Sequence, residues 1–418
     1  MNRTSLKGKK WELALGLSAG CYFLFAYLQM RGLGIPNVFY SLFKVVMLLF
    51  GLTSLTHIRK NKSMMYLMIA FVVYTLLSGV VYIFNGKPFS LFYDALSNYI
   101  LPMFVFFIGM KTRDANAFLI PMVLALSLAL VLTIIPYLSF SPWYIQYILD
   151  NRNDTDIVGE NYLLSNLRFS GVATSAYFIM YMCVPILSYC LALTVLYKKR
   201  NIVLYIVSIL CIVSLILCQQ RTAILFVALA ILYFFVFLGK NNRKSTIVVL
   251  VLLAALIFIL PTYVERFDDL VGLVTGRVEN MSFETAFVDE RQDKVTQVFS
   301  VWGNPIFGDG VGVYSHAAFY AGYVSVNDCA WIKLLVENGV VGVLLFLAIV
   351  GKSLIRGFKL RKHYYTELFI IVFYMVAMIG SDSLSMQTTF SVFFWFALGK
   401  IWNPIQDADL RGDLQVSH

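Results

Sequence analysis

Runs of about 20 predominantly apolar residues recur along the chain, each long enough to cross the roughly 30 Å hydrocarbon core of a bilayer as a helix. They lie near 12–30, 37–56, 63–84, 91–110, 117–138, 172–196, 202–219, 222–239, 245–263, 329–350, 366–382 and 386–402, about twelve crossings. A lipid interior offers the backbone no water, so each run must satisfy its own N–H and C=O groups as a helix. The expected fold is all-α: a polytopic transmembrane helical bundle forming a single membrane domain over 1–418. At 60% hydrophobic and 13% charged residues, the chain is far more apolar than a soluble domain.

The formal net charge is +10, which in a soluble protein would suggest a nucleic-acid partner. Here the basic residues fall in short clusters between apolar runs, a pattern of membrane topology. With the N-terminus in the cytoplasm, the inward loops hold Arg59/Lys60/Lys62, Lys111/Arg113, Lys198/Lys199/Arg200, Lys240/Arg243/Lys244 and the run Lys352, Arg356, Lys359, Arg361, Lys362. Both tails included, roughly 22 of the 33 Lys+Arg then lie on that side, as the positive-inside rule requires. Both termini are cytoplasmic in this reading, and 403–418 is a short polar tail. Arg3, Lys7, Lys9 and Lys10 precede an apolar stretch without a small-x-small cleavage site, so it is read as a retained first helix. Lys44 and Lys333 fall inside crossings, where both can snorkel toward the interface. The six cysteines show neither CxxC nor Cys/His spacing, which argues against a disulfide framework or a zinc site.

Two outward loops stand apart by their length, at 139–171 and 264–327, and long loops commonly carry function. The topology disfavours basic residues outside, so the arginines there call for a reason: Arg168, Arg221, Arg266, Arg277 and Arg291. A guanidinium fork suits bidentate contact with phosphate or pyrophosphate, and at a membrane surface this points to a lipid-linked phosphate. Gln219-Gln220-Arg221-Thr222 is the only polar break in an apolar run sized for two crossings. It predicts a tight outer hairpin, with Arg221 either binding phosphate or reaching headgroups.

Residues 290–295 lead into Val298, Phe299 and Trp302 at helical spacing, ending at Asn304-Pro305. That pattern predicts a short amphipathic helix against the membrane, with Arg291 either a ligand contact or paired with Asp289, Glu290 or Asp293. Gly308-Asp309-Gly310-Val311-Gly312 reads as a tight turn, because no strand–helix unit surrounds it. His316 is the one outward histidine of four, a general-base candidate or an incidental loop residue. Asp328, where the loop re-enters the membrane, is either a carboxylate base or a helix N-cap. Trp143, Tyr144 and Tyr147 offer rings for sugar stacking or for an interfacial belt. No metal-ligand cluster or nucleophilic triad stands out on the outer side, and no cofactor is expected.

Four segments resemble the bacterial O-antigen polymerases and their relatives, the O-antigen ligases and exopolysaccharide polymerases. They are Leu167-Arg168-Phe169-Ser170-Gly171, Gln220-Arg221-Thr222-Ala223-Ile224-Leu225, Arg291 through Trp302 with Asn304-Pro305-Ile306-Phe307-Gly308 and Gly310, and Asp328-Cys329 with Leu334 through Gly342. Ligases open the last motif with a histidine followed by Asn, Ser or Gln. Asp328 and Cys329 stand there in this chain, which favours a polymerase.

The resemblance implies an inverting, metal-independent glycosyltransferase of the bacterial cytoplasmic (inner) membrane, acting on undecaprenyl-pyrophosphate-linked oligosaccharide at the outer face. A ligase-type transfer or a flippase is the alternative. In that carry-over Arg221 and Arg291 hold the pyrophosphate, Arg168 assists or holds the acceptor, and Asp328 or His316 is the base. Besides membrane lipid, a chain-length regulator protein is an expected partner. Arg291, His316 and Asp328 should then face Arg221 across a cavity.

Overall fold

The computed structural model describes residues 3–34, 36–56, 61–84, 86–112, 115–139, 141–150, 169–172, 176–196, 201–218, 223, 226, 296–326, 329–361, 363–385 and 391–403. All regular structure among them is helical: α1 Arg3–Met30, α2 Asn37–Leu55, α3 Lys62–Phe84, α4 Phe89–Lys111, α5 Ala115–Leu138, α6 Pro142–Asp150, α7 Ala176–Leu191, α8 Ile202–Leu217, α9 His316–Tyr320, α10 Ala330–Lys359, α11 Tyr365–Ala377 and α12 Val392–Lys400. Five helical stretches among the described residues are long and apolar enough to cross a membrane: α3, α4, Leu119–Leu138 of α5, Tyr177–Thr194 around α7, and α10. The expected crossings 222–239 and 245–263 lie outside the described residues, apart from Ala223 and Phe226, as do most of both long loops and the tail beyond 403.

The chain divides into two compact units. The first comprises Met1–Ser18, Tyr40–Phe118 and Phe287–His418. Its core is aromatic: Phe71 of α3 meets Phe346 of α10 at 6.0 Å, and Phe346 stacks on Phe394 of α12 at 6.0 Å. Trp395 joins the cluster edge-on to Phe394 at 5.1 Å and is fully buried. Such ring pairs add to the area they bury. In α4 one turn, Leu96–Ile100, widens to π geometry just before Pro102, a residue that cannot donate to the preceding turn.

Expected crossings change character where the structure describes them. At 1.5 Å per residue the 13-residue α11 reaches only about 20 Å. The run expected over 366–382 ends as a helix at Ala377, because the following Ser381-Asp382-Ser383 is polar and turns to meet α10. Nor is α10 continuous over 329–350: it breaks at Gly339, and the uninterrupted stretch is 340–359, about the 20 residues a crossing needs. Lys352, Arg356 and Lys359 therefore sit on the helix rather than in a loop. Arg356 donates to the Ile401 carbonyl at 2.8 Å and Lys400 to that of Thr112 at 2.8 Å, cations on the open carbonyls of helix C-termini.

The second unit comprises Ala19–Phe39 and Leu119–Ala286. Its centre is α7 packed on α8; Phe178 through Leu187 are all buried, Pro185 within the helix among them. A helix apolar on every side belongs inside a bundle. Phe23 of α1 packs edge-on against Phe178 at 5.9 Å. All six cysteines are free thiols.

Candidate functional site

The helix break in the first unit is where sequence and geometry converge. At Gly339 the backbone takes φ +61° and ψ −175°, interrupting the intrahelical ladder. In a spanning helix the groups set free need other partners, and residues 303–312 supply them. Asp309 N–H donates to Val336 O (2.9 Å) and Gly310 N–H to Glu337 O (3.1 Å). On the other side of the gap, Val340 N–H donates to Pro305 O (3.0 Å) and Val341 N–H to Ile306 O (3.1 Å). The Tyr74 hydroxyl of α3 sits between the carbonyls of Phe307 (2.9 Å) and Asn338 (2.7 Å).

The loop is thus a plug, and its composition follows from the fit. A Cβ on Gly308 would stand 2.3 Å from Glu337 O, and one on Gly339 would stand 2.3 Å from Ile306 O. The glycine-rich run is indeed a tight turn, with φ of +80° at Gly308 and +108° at Gly310. Asn304 begins it by accepting from Phe307 N–H at 3.1 Å, the local bond that makes Asn-Pro a turn signal.

Two carboxylates hold the plug. Asp309 accepts from Gly303 N–H (3.1 Å), Asn304 N–H (2.8 Å) and the Tyr314 hydroxyl (2.6 Å). Burial, followed by this bond and the Asp309 charge, pushes the Tyr314 phenol well above its ordinary range. Glu337, buried on α10, accepts from Tyr314 N–H at 3.1 Å. The helical residues 296–301 brace the loop from behind. The stripe expected to face lipid is divided: Val298 is buried in a cluster with Tyr314, Val326 and Val336, joined by Trp302, whereas Phe299 is exposed.

Between this loop and the C-terminal end of α3 opens a pocket of about 820 Å³, in the range of small-molecule sites. Tyr74, Tyr82, Tyr314 and Tyr323 furnish rings, Leu77, Val81, Val301 and Phe307 apolar walls, and Lys87 and Asp309 the charges. The Lys87 ammonium lies 5.1 Å from the centre of the Tyr323 ring. By the expected topology Lys87, directly after the 63–84 crossing, is an outward cation, as is Arg31 after 12–30. Both stand in short turns, where loop length gives no signal.

Farther along α10, Lys333 does not snorkel: its ammonium is 2.7 Å from Asp382, with side-chain exposures of 4% and 2%. Asp382 also accepts from the Ser385 hydroxyl at 2.7 Å. Lys44 likewise turns inward, donating to Ser97 and, at 3.3 Å, to Asn98 on the widened turn of α4. An intramembrane partner offers more than the interface when the stem cannot reach water. Around Asn338 and Tyr99, whose side-chain polar atoms have no hydrogen-bond partner, a void of about 10 Å³ lies beside Lys333, Glu337 and Asp382.

Of the five expected site residues, Arg168, Arg221, Arg291 and Asp328 lie outside the described residues. The N-cap of α10 is Cys329 rather than Asp328, and its side chain makes no cap bond. His316 opens α9 behind the Ser315 N-cap, half-buried, within electrostatic reach of Asp94 on α4 but outside the pocket lining. Among the described residues no cluster of three metal-ligating side chains occurs.

In the second unit one backbone bond links residues that flank Arg168 and Arg221 in the chain. Phe169, next to Arg168 in the chain, donates its N–H to Leu217 O at 3.1 Å, four residues before Arg221. Gly171, at φ +63°, offers its carbonyl to the Tyr144 hydroxyl at 3.1 Å. Tyr144 is thereby a core residue, buried at 0% exposure, and not a ring free for a sugar. Trp143 instead carries the Arg31 guanidinium on its face at 4.1 Å.

These features define a multi-pass helical membrane protein with a plugged, interrupted helix beside a pocket. Residues 206–347 match the model of a family described as O-antigen ligase, which supports the O-antigen ligase/polymerase superfamily as its class. The matched segment contains Arg221, the plug and the helix break at Gly339. No curated protein matches the chain. Membrane glycan transfer of the ligase or polymerase type is the activity this class supports.

Proposed function

We propose that this protein is a polysaccharide polymerase of the cytoplasmic membrane, transferring a growing glycan from undecaprenyl pyrophosphate to a new lipid-linked repeat unit at the outer face. The observation that carries the reading is the bond from Phe169 N–H to Leu217 O. It ties the residue after Arg168 to one four positions before Arg221, two arginines 53 positions apart whose motifs are each weak alone. Two guanidinium forks at one anionic group are what a pyrophosphate needs.

In the proposed step an acceptor hydroxyl oxygen attacks the anomeric carbon as its bond to the pyrophosphate oxygen breaks. The configuration inverts, the leaving pyrophosphate keeps the bonding pair, and the hydroxyl proton passes to Asp328 or His316. Arg221 and Arg291 offset the charge developing on the leaving group, and Arg168 holds the acceptor or assists. A pyrophosphate so neutralised leaves without a metal ion.

A ligase reading keeps the same chemistry and changes the acceptor; the description of the matched family supports it, and the Asp328-Cys329 opening in place of a histidine motif favours the polymerase. A gene-deletion strain decides among the readings. Single repeat units at the surface are expected for a polymerase, polymer left on its carrier for a ligase, and no translocated units for a flippase. Full-length polymer made by Arg221→Ala and Arg291→Ala proteins at normal abundance would sink the pyrophosphate clamp.

A further inference from the structure

The pocket between α3 and the plug has a composition that selects its occupant. Much of its polar lining is already spent within the protein: Asp309 on two backbone N–H groups and Tyr314, Tyr74 on two carbonyls, Ser78 on Thr75 O, and the Asn304 oxygen on Phe307. A polyhydroxylated sugar ring would find few partners there, and each unmatched hydroxyl costs binding. What remains for a ligand is an apolar and aromatic wall, the Lys87 ammonium, the Asn304 amide nitrogen and the hydroxyls of Tyr323 and Tyr82. The Tyr82 side chain is 2% exposed, and its hydroxyl has no hydrogen-bond partner.

The pocket also faces the right medium. Leu77, Val81 and Phe307, all on its wall, are each 57% exposed, and nearby Phe84 and Ile306 are more exposed still. On a spanning helix such side chains are bathed by lipid chains, not water. Lys87 follows three residues after α3 ends, the depth at which phosphate headgroups begin, and Tyr323 beneath its ammonium is amphipathic in the manner of interfacial aromatics. The pocket thus joins an ammonium, an aromatic ring and an exposed apolar wall, the chemistry of one lipid molecule.

We propose that this pocket is a lateral site for an anionic phospholipid of the surrounding bilayer. One chain lies against Leu77, Val81, Val301 and Phe307, and the phosphate lies at Lys87, with the Tyr82 hydroxyl donating to a phosphate or ester oxygen. The lipid covers the seam between α3 and the plug and so steadies the loop that closes the gap in α10. The inference does not depend on glycan transfer, and its test reads lipid contact alone.

The full-length protein is reconstituted in nanodiscs containing phosphatidylglycerol or phosphatidylcholine that carries a photoreactive diazirine on one acyl chain, and adducts are mapped by mass spectrometry. Phosphatidylglycerol adducts are expected within 74–82 and 301–324. Unlabelled phosphatidylglycerol and dodecyl phosphate should displace them, whereas dodecanol and inorganic phosphate should not. Lys87→Gln should lower the preference for phosphatidylglycerol over phosphatidylcholine about fivefold, the effect of one interfacial lysine, and Lys87→Arg should retain it. Val81→Trp, which fills the pocket without touching the charge, should remove the adducts at unchanged protein melting. Equal labelling by the two lipids, adducts confined to other segments, or displacement by a short polyprenyl phosphate but not by phosphatidylglycerol would each overturn the proposal.

Discussion

Replacing Gly339 by alanine tests the plug most directly. The residue occupies a backbone region that is essentially glycine's own, and holding a side chain there costs on the order of 1–3 kcal/mol. Its new Cβ would lie 2.3 Å from Ile306 O and 2.4 Å from Gly308 N, both backbone atoms that no rotamer change can move. Relief requires the loop to withdraw, weakening the bonds from Val340 to Pro305 and from Val341 to Ile306. Each such bond is worth about 1 kcal/mol net where water can replace it, and more where it cannot. The sum is about 3–5 kcal/mol, at the upper end for a single substitution. Gly308→Ala attacks the same contact from the loop side, 2.3 Å from Glu337 O, so the double mutant should fall short of the sum of the singles by at least about 1 kcal/mol. Gly351→Ala is the control: on the same helix, nothing lies within 4 Å of its Cβ, and a helical Gly→Ala gains roughly 0.5–1 kcal/mol. Thermal denaturation in one detergent, read as loss of monodisperse protein, compares the four variants. If Gly339→Ala melts together with the wild type, the plug does not support the interrupted helix.

Lys333→Met should lower stability by about 3–5 kcal/mol by stranding Asp382, and adding Asp382→Asn, which keeps a partner for Ser385, should recover much of the loss in the same melting assay. The Tyr314 phenol, raised by burial and Asp309, stays neutral in the folded protein where a free tyrosine ionises near pH 10. Its contribution is therefore complete below about pH 10 and is lost as pH rises further; Tyr314→Phe should melt lower at neutral pH by about 1–2 kcal/mol yet lose less on going to strongly alkaline pH. Gly171→Ala, whose Cβ would meet Ile179 at 2.8 Å, should shift the Phe169–Leu217 contact and cut polymer formation roughly ten- to a hundredfold at normal protein abundance, although it removes no charge; unchanged polymer length would separate that contact from activity.

Apolar periodicity located the helices well because a bilayer imposes one length and one chemistry on every crossing: α3 and α5 begin and end within two residues of their expected positions. It failed where a crossing is built from pieces. Leu334 through Gly342 reads as uninterrupted helix, since glycine within an apolar run gives no sign that its φ will be positive. Only the partner loop, some thirty positions earlier, explains the break. The glycines of that loop were legible as a turn but not as a close fit, because their neighbours belong to other helices. Lys333 and Asp382 were unpaired in the sequence for the same reason: one lay inside a run, the other at the end of the next, and nothing local links them. Nor does anything local in the sequence link Phe169 to Leu217, whose backbones meet across 48 positions of chain.

The plug also constrains how any motion near the pocket can occur. Because residues 305–310 complete the backbone bonding of α10 on both sides of its gap, that stretch cannot swing out alone without leaving polar groups open in an apolar medium. The segments on both sides of the gap are bound to the same stretch, 330–338 through Asp309 and Gly310 and 340–359 through Pro305 and Ile306, so a ligand that displaces the loop must carry loop and both helix segments together or break one set of bonds. Tyr314, bonded to Glu337, extends that unit beyond Gly312, and easy motion is left to whatever packs against it.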